Sequence, residues 1–339
     1  MDLNNLSRPE LLEKCKELQL KSFSNKNKSE LIQMIQGSSS ETPSQTPKKT
    51  KRPQVGVLPK LEESNEIVET VEEKIPLNIT LYNNDCIKQM KEIPDSSIDL
   101  ILCDLPYGNT KCKWDIIIDI DELWKQYKRI IKKPSGVIVL FGQQPFTSRL
   151  IAGNYEWFKY NIIWKKNKTT QFLLANYRPM KCYEDIAVFS PGGAAAASRE
   201  TGNMTYNPQG LISKVVNKVN SQKRIGKMLN QEHHLGKNNK LISNSEYQQK
   251  FTNYPKDIIE FDIESTTIHE TQKPVALVEY LVRTYSNVGG VVLDNTMGSG
   301  TTGVACINSS RHFIGIELDK TYYELAKGRI DEHYATWYN

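Results

Sequence analysis

No apolar run in these 339 residues approaches the roughly 20 needed to cross a bilayer, so a membrane partner is not expected. The opening Met1-Asp2-Leu3-Asn4-Asn5 lacks the basic-then-apolar pattern of an export signal, and the expectation is an intracellular protein. The six cysteines, Cys15, Cys86, Cys103, Cys112, Cys182 and Cys306, form no C-x-x-C pair and have no matching histidine cluster. That argues against a zinc site or a disulfide framework and for free thiols in a reducing compartment. His233-His234 has no third candidate ligand nearby, so no metal is expected. A strong excess of one charge is also missing: a net +5 is compatible with a polyanionic partner but does not select one.

What is present suffices for a folded chain. Hydrophobic residues at 38% and charged residues at 24% are ordinary globular values, and the length leaves room for one large and one small domain. Leu6, Leu11, Leu12, Cys15 and Leu18 recur at helical spacing, as do Leu31, Ile32 and Ile35. Ser7 and Asn27 are candidate caps, Asn27 with Glu30 three residues on, and residues 1–37 therefore read as a small helical domain. Residues 38–75 are dominated by Ser, Thr, Pro, Lys and Glu, with Pro43, Pro47, Pro53 and Pro59 breaking any pattern, and read as a flexible linker. Within them, Pro47-Lys48-Lys49-Thr50-Lys51-Arg52 looks like a nuclear import signal, so a nuclear location stands beside a cytoplasmic one.

From residue 76 to 339 strands and helices alternate. Strands are expected at Ile79–Tyr82, Ile98–Cys103, Val137–Phe141, Phe158–Trp164 and Glu184–Phe189, with a helix at Asp121–Lys132. After a polar stretch at 192–256 the alternation resumes with helix Pro274–Tyr285, strand Val291–Asp294, helix Thr301–Asn308, strand Phe313–Glu317 and helix Tyr322–His333. Alternation of this kind predicts an α/β fold with a mainly parallel sheet covered on both faces.

Two places in that frame carry chemistry. Val291–Asp294 runs into Gly298-Ser299-Gly300-Thr301-Thr302-Gly303, a G-x-G-x-x-G turn between strand and helix, with the acid Glu317 about 20 residues beyond its first glycine. Glycines admit a ligand to the backbone, a helix N-terminus offers N–H groups, and the later carboxylate suits a ribose diol. A ligand-free turn and an NAD oxidoreductase use the same pattern. Asp294, directly ahead of the glycines, would repel a pyrophosphate and suits instead the cationic amino group and sulfonium of S-adenosylmethionine (SAM). The second place is Asp104-Leu105-Pro106-Tyr107 after strand Ile98–Cys103, where open α/β sheets put their ligands. Asp104 and a neighbouring carbonyl could accept both N–H bonds of an aromatic amine, Tyr107 could stack on the base, and Pro106 would hold the turn rigid. An ordinary strand-ending turn is the bland alternative.

Here the chain resembles the beta-class DNA amino-methyltransferases, whose D-P-P-Y tetrapeptide is matched by Asp104, Leu105, Pro106 and Tyr107. Leucine still supplies the backbone carbonyl used at its position. Leu81-Tyr82-Asn83-Asn84-Asp85-Cys86 resembles the segment that contacts the SAM adenine, making Asp85 and Cys86 cofactor residues. His269-Glu270-Thr271-Gln272-Lys273-Pro274 resembles H-x-T-x-K-P, whose lysine lies by the methionine moiety, here Lys273. Asp294 to Gly303 resembles D-P-F-x-G-S-G-T-T, with Asn295-Thr296 in place of Pro-Phe; Gly315-Ile316-Glu317-Leu318-Asp319 resembles the next motif. The resemblance implies SAM held by Asp294, Gly298, Ser299, Gly300, Thr301 and Glu317, a permuted motif order, and in-line methyl transfer to adenine N6. Cytosine N4 is the nearest alternative. No cysteine follows a proline, which sets aside the cysteine-dependent carbon-5 reaction.

The partner implied is DNA, either single-stranded or a duplex whose target base is flipped out. By resemblance the insertion at 192–256 is the target-recognition region, carrying Lys214, Lys218, Lys223, Arg224, Lys227, Lys237 and Lys240 against few acids, mainly Glu232. Leu6 to Ile35 resembles a SAP domain, a helix-extended-helix DNA-binding module in which Lys21, Lys26 and Lys28 would meet phosphates, although Gln19 stands where a glycine is usual. RNA as substrate, or a non-catalytic SAP-type DNA-binding protein, are the readings left beside it. Oligomeric state stays open, a homodimer included, and no nuclease motif is present.

Overall fold

The computed structural model describes residues 7–17, 28, 31–32, 35, 75–108, 117–195, 202–219, 246–264 and 272–338. The chain divides into two compact units, Met1–Leu61 and Glu62–Asn339. In the first, helix α1 (Arg8–Glu17) opens on a capping box in which the Ser7 N–H and hydroxyl both donate to Glu10 Oε2, at 2.7 and 2.6 Å. Leu11 and Cys15 from α1 meet Leu31 and Ile35 in a small buried cluster. Both pairs are four residues apart, one helical turn, which is the spacing visible in the sequence. Leu6, Leu18, Lys21, Lys26 and Asn27 lie outside the described residues, as does the whole of 47–52.

The second unit is built on an eight-stranded sheet. Its elements are β1 (Ile79–Asn83), α2 (Cys86–Met90), β2 (Leu100–Cys103), α3 (Ile120–Ile130), β3 (Val137–Gly142), α4 (Phe146–Gly153), β4 (Phe158–Thr170), β5 (Lys181–Phe189), β6 (Ile212–Val219), β7 (Glu246–Thr252), β8 (Ile258–Glu260), α5 (Val275–Tyr285), β9 (Val291–Asp294), α6 (Thr301–Asn308), β10 (His312–Glu317) and α7 (Lys320–Tyr338). The strand order is β1-β10-β9-β2-β3-β5-β4-β8. The run β1-β10-β9-β2-β3 is parallel, β5 is antiparallel to both β3 and β4, and β8 pairs parallel with β4.

Burial explains the sequence of the central strands. β2 and β3 are unbroken apolar runs because helices cover both sheet faces and leave no residue for water. Alternation along β2 sends Leu100 and Leu102 into the core with α5, α6 and α7, and Ile101 and Cys103 into the core with α2, α3 and α4. On α3, Ile120, Leu123, Trp124, Tyr127 and Ile130 form the buried stripe, and Asp119 caps the start by accepting from the Asp121 and Glu122 N–H groups at 3.0 and 3.2 Å.

The expected α/β fold and its mainly parallel sheet are found. Helices α2 and α4 and strand β8 are additional to the sequence reading, and two further differences concern β4 and the insertion. Strand β4 runs on to Thr170, past the expected end at Trp164. Within the insertion at 192–256, β6 and β7 pair antiparallel as a separate two-stranded sheet, in a stretch where composition gives no periodic signal. Lys214 is exposed on β6; Lys223, Arg224, Lys227, Glu232, His233, His234, Lys237 and Lys240 lie outside the described residues. Among the described residues no helix is long and apolar enough to cross a membrane.

Candidate active site

Parallel strands deliver their C-terminal ends to one edge of the sheet, and here that edge carries the acids. Asp85 follows β1, Glu317 ends β10, Asp294 ends β9 and Asp104 follows β2. All four line a single cavity of about 1240 Å³, together with Cys86, Leu105, Pro106, Tyr107, Lys273, Gly298, Ser299 and Thr301. Ligand binding at the carboxyl edge of an open α/β sheet is the general rule, and this volume admits a nucleoside-sized cofactor and a base together.

The glycine turn is held from below. Asp294 Oδ2 accepts from Thr302 Oγ1 at 2.6 Å and its Oδ1 from the Thr296 N–H at 3.1 Å. Burial pushes its carboxyl up to about 7, against these bonds, and no cation pairs with it among the described residues. Glu317 Oε2 accepts from the Gly298 N–H at 3.0 Å and Oε1 from the Asp319 N–H at 2.9 Å; burial again raises this carboxyl above its ordinary value. Two desolvated acids that face the cavity and pair with no cation among the described residues fit a cationic ligand with a ribose diol, which is what SAM offers. Gly300 is not among the cavity-lining residues. It sits at φ +74 before α6, and a Cβ there would come within 3.1 Å of the Ala326 side chain on α7, so its place is a turn and packing position.

At the other end, both oxygens of Asp104 are engaged. Tyr107 Oη donates to Oδ1 at 2.5 Å, and the Lys273 ammonium donates to Oδ2. Lys273 also lies 3.4 Å from Glu184 Oε2, whose other oxygen is 2.5 Å from Lys166. Two acids and two lysines thus alternate in a chain, with the side chains of Lys273 and Glu184 only 9% and 7% exposed. Burial works against both charges, but each wins: Asp104 and Glu184 hold Lys273 above its ordinary value, and Lys273 and Lys166 hold Glu184 below its own. Burial, then the charge of Asp104, pushes the Tyr107 phenol well above its usual value, so it stays a donor. The Tyr107 ring packs on Phe146 of α4 at 5.1 Å between centroids. Thr296 Oγ1 donates to the Asp104 carbonyl at 3.2 Å, tying the two strand ends together.

The resemblance put Lys273 beside the methionine moiety; its ammonium here pairs with Asp104. The sequence reading gave no role to Glu184 or Lys166, and it named Asn295, Thr296 and Thr302 only as parts of the glycine-turn motif. Asn295 Oδ1 accepts from Tyr127 Oη at 2.5 Å and from Cys103 Sγ at 2.8 Å, in the position where the resembling motif has proline. The signal for Glu184 was its place, with Asp185, in an otherwise apolar strand; both are buried, and Asp185 accepts from Thr147 Oγ1 at 2.8 Å.

Known proteins resemble about three quarters of the chain. It is 27% identical over 269 residues to DNA adenine methyltransferase YhdJ of Escherichia coli (strain K12), covering 76% of this chain and 84% of that protein. It is 25% identical over 270 residues to the type II methyltransferase M.HpaI of Haemophilus parainfluenzae, covering 75% and 74%. Among solved structures, the M1.HpyAVI–SAM complex matches 74% of this chain and 99% of its own with a TM-score of 0.47 at 25% identity. The PvuII DNA methyltransferase (cytosine-N4-specific) matches 77% and 92% with a TM-score of 0.49 at 14% identity. The family described as DNA methylase (N6_N4_Mtase) matches residues 98–328, more than half of the sequence and every strand from β2 to β10, and the chain belongs to that family.

Proposed function

We propose that the protein transfers a methyl group from SAM to adenine N6 in DNA. The observation that carries this reading is a cavity in which two acids that meet no cation among the described residues, Asp294 and Glu317, open towards Asp104 and Tyr107. The relative named a DNA adenine methyltransferase supports adenine over cytosine as the base.

SAM, when bound, supplies a methyl group on a positively charged sulfur, open to in-line attack. The remaining work belongs to this chain. An aromatic amine is a poor nucleophile because its lone pair is shared with the ring. Asp104 and the Leu105 carbonyl are the acceptors for its two N–H bonds, drawing the nitrogen towards a tetrahedral state as it attacks. Both Asp104 oxygens have donors already, so the arriving amine takes the place of one of them, with Tyr107 the softer of the two to displace. Lys273, balanced by Glu184, keeps the carboxylate charged and aimed. Glu317 is suited to the ribose diol, and Asp294 to the cationic end of the cofactor. The helical unit within Met1–Leu61 is assigned a second, sequence-tolerant grip on DNA.

The test is direct. Incubation with SAM and unmethylated mixed-sequence duplex DNA, followed by digestion and mass spectrometry, should yield N6-methyladenine. N4-methylcytosine instead would keep the chemistry and change the base. Asp104→Ala should abolish the product while leaving SAM affinity within about tenfold, because it removes an interaction made chiefly in the transition state. Near-normal turnover by that variant would remove Asp104 from its role.

A further inference from the structure

The longest strand in the sheet does not stop where the sheet stops. β4 is antiparallel to β5, which is antiparallel to β3, so β4 runs in the same direction as β2 and β3 and leaves the sheet at the carboxyl edge. Regular pairing holds through Lys165 and Tyr183; a register shift follows, and the strands meet again only at Thr170 and Lys181. Residues 165–183 therefore form an arm that projects from the edge where the cavity opens. Its root belongs to the cavity wall, through Lys168, Thr170 and Gln171.

The tip of the arm is an apolar, hydrogen-bonded turn. Gln171 turns the chain with φ 68, and a short 3-10 turn over Phe172–Leu174 is closed by the N–H groups of Leu174 and Ala175 bonding back to Gln171 and Phe172 at 3.0 Å each. Phe172 is 78% exposed, Leu173 91% and Tyr177 86%, a cost in water that no fold contact returns. Large apolar side chains set side by side on a tight turn mark a surface made for another molecule.

Charge indicates which molecule. Residues 165–183 contain Lys165, Lys166, Lys168, Arg178 and Lys181 and no acid at all. Lys165 and Lys166 are answered by Glu260 and Glu184. Lys168 and Arg178 meet no carboxylate among the described residues, and both are exposed. An apolar turn flanked by cations that meet no carboxylate among the described residues matches duplex DNA, whose phosphates take the cations and whose base steps accept apolar wedges.

We propose that this arm is the wedge that opens the duplex. Phe172 and Leu173 enter the base stack next to the target, Lys168 and Arg178 hold the flanking phosphates, and the base that leaves the stack passes the root of the arm into the cavity. The proposal rests on the DNA methyltransferase reading above and adds the element that makes a duplex base reachable.

The test compares the full-length protein with its Phe172→Ala/Leu173→Ala variant on a mixed-sequence duplex. Two readouts are needed: the initial rate of methyl transfer from SAM, and permanganate oxidation of thymines unstacked in the complex. The wild type should both methylate the duplex and expose reactive thymines. The double variant should lose the reactivity and about tenfold or more in rate, the scale of one lost stacking contact. Its duplex affinity, set mainly by phosphate contacts, should stay within about threefold. Phe172→Trp, which keeps an aromatic wedge, should retain both signals, whereas a variant that merely misfolds would not be distinguished by ring type. An unchanged rate in the double variant, or thymine reactivity that persists in it or is absent from the wild type, overturns the wedge. A wild type that methylates no DNA at all overturns the methyltransferase reading, and this inference with it.

Discussion

Asp294 is a buried acid that meets no cation among the described residues, and its protonation is linked to both folding and binding. Asp294 is held up to about 7 by burial, opposed by Thr302 and the Thr296 N–H, with Asp104 a further negative neighbour. Because the folded value lies above the unfolded one, the unfolded chain gives up this proton first. Asp294 therefore costs stability progressively as pH rises from about 4 to about 7, by up to roughly 4 kcal/mol. The ligand-free Asp294→Asn variant should accordingly melt higher than wild type at about pH 8 and no higher at about pH 4, as thermal denaturation would report. The same proton opposes a cationic ligand. SAM affinity measured by calorimetry should fall about tenfold between about pH 8 and about pH 6, and Asp294→Asn should flatten that slope as well as weaken binding. A wild-type profile flat across this range would separate Asp294 from cofactor binding.

At the scale of elements, the close approach of α6 to α7 and β10 depends on Gly303. A Cβ there would lie 2.5 Å from Ile330 Cδ1 and 2.9 Å from Phe313 Cε1, so these side chains would have to shift to admit it. Gly303→Ala gains up to about 1 kcal/mol of helix propensity but overpacks a filled interface at a cost of about 1–3 kcal/mol. The net expectation is a lower urea midpoint, partly restored by Ile330→Val in the same chain; two independent losses would mean that the two side chains do not compete for this space. Elements of this kind were legible in the sequence. Strands β2, β3 and β9 and helices α3, α5 and α6 follow from apolar runs and helical stripes, and the two strand ends that carry Asp104 and Asp294 were marked by their turns. What was not legible depends on contacts between distant segments. Lys273 was visible as part of a motif, but its pairing with Asp104 and Glu184 arises only when α5 and β5 come to the same sheet edge. The arm at 165–183 hid for another reason: its exposed apolar tip reads in sequence like any buried segment.

The molecule as a whole is two units of unequal means. Glu62–Asn339 has a core on each face of its sheet, whereas the buried apolar cluster described in Met1–Leu61 consists of Leu11, Cys15, Leu31 and Ile35. The described residues that line the cavity all belong to the larger unit. If the smaller unit grips DNA, its contribution is effective concentration: once it is bound, the cavity meets nearby DNA as an intramolecular partner. Residues 62–339 alone should then bind SAM as tightly as the full chain and turn over at the same rate on saturating DNA. Their KM for DNA should rise by about tenfold at low salt, and the dependence of log KM on log salt should become shallower as phosphate contacts are lost. That combination separates a tether from a catalytic part, since only the latter would lower the saturated rate. An unchanged KM and salt slope would leave the grip on DNA entirely to the larger unit, and would place its burden on the arm and the 192–256 insertion.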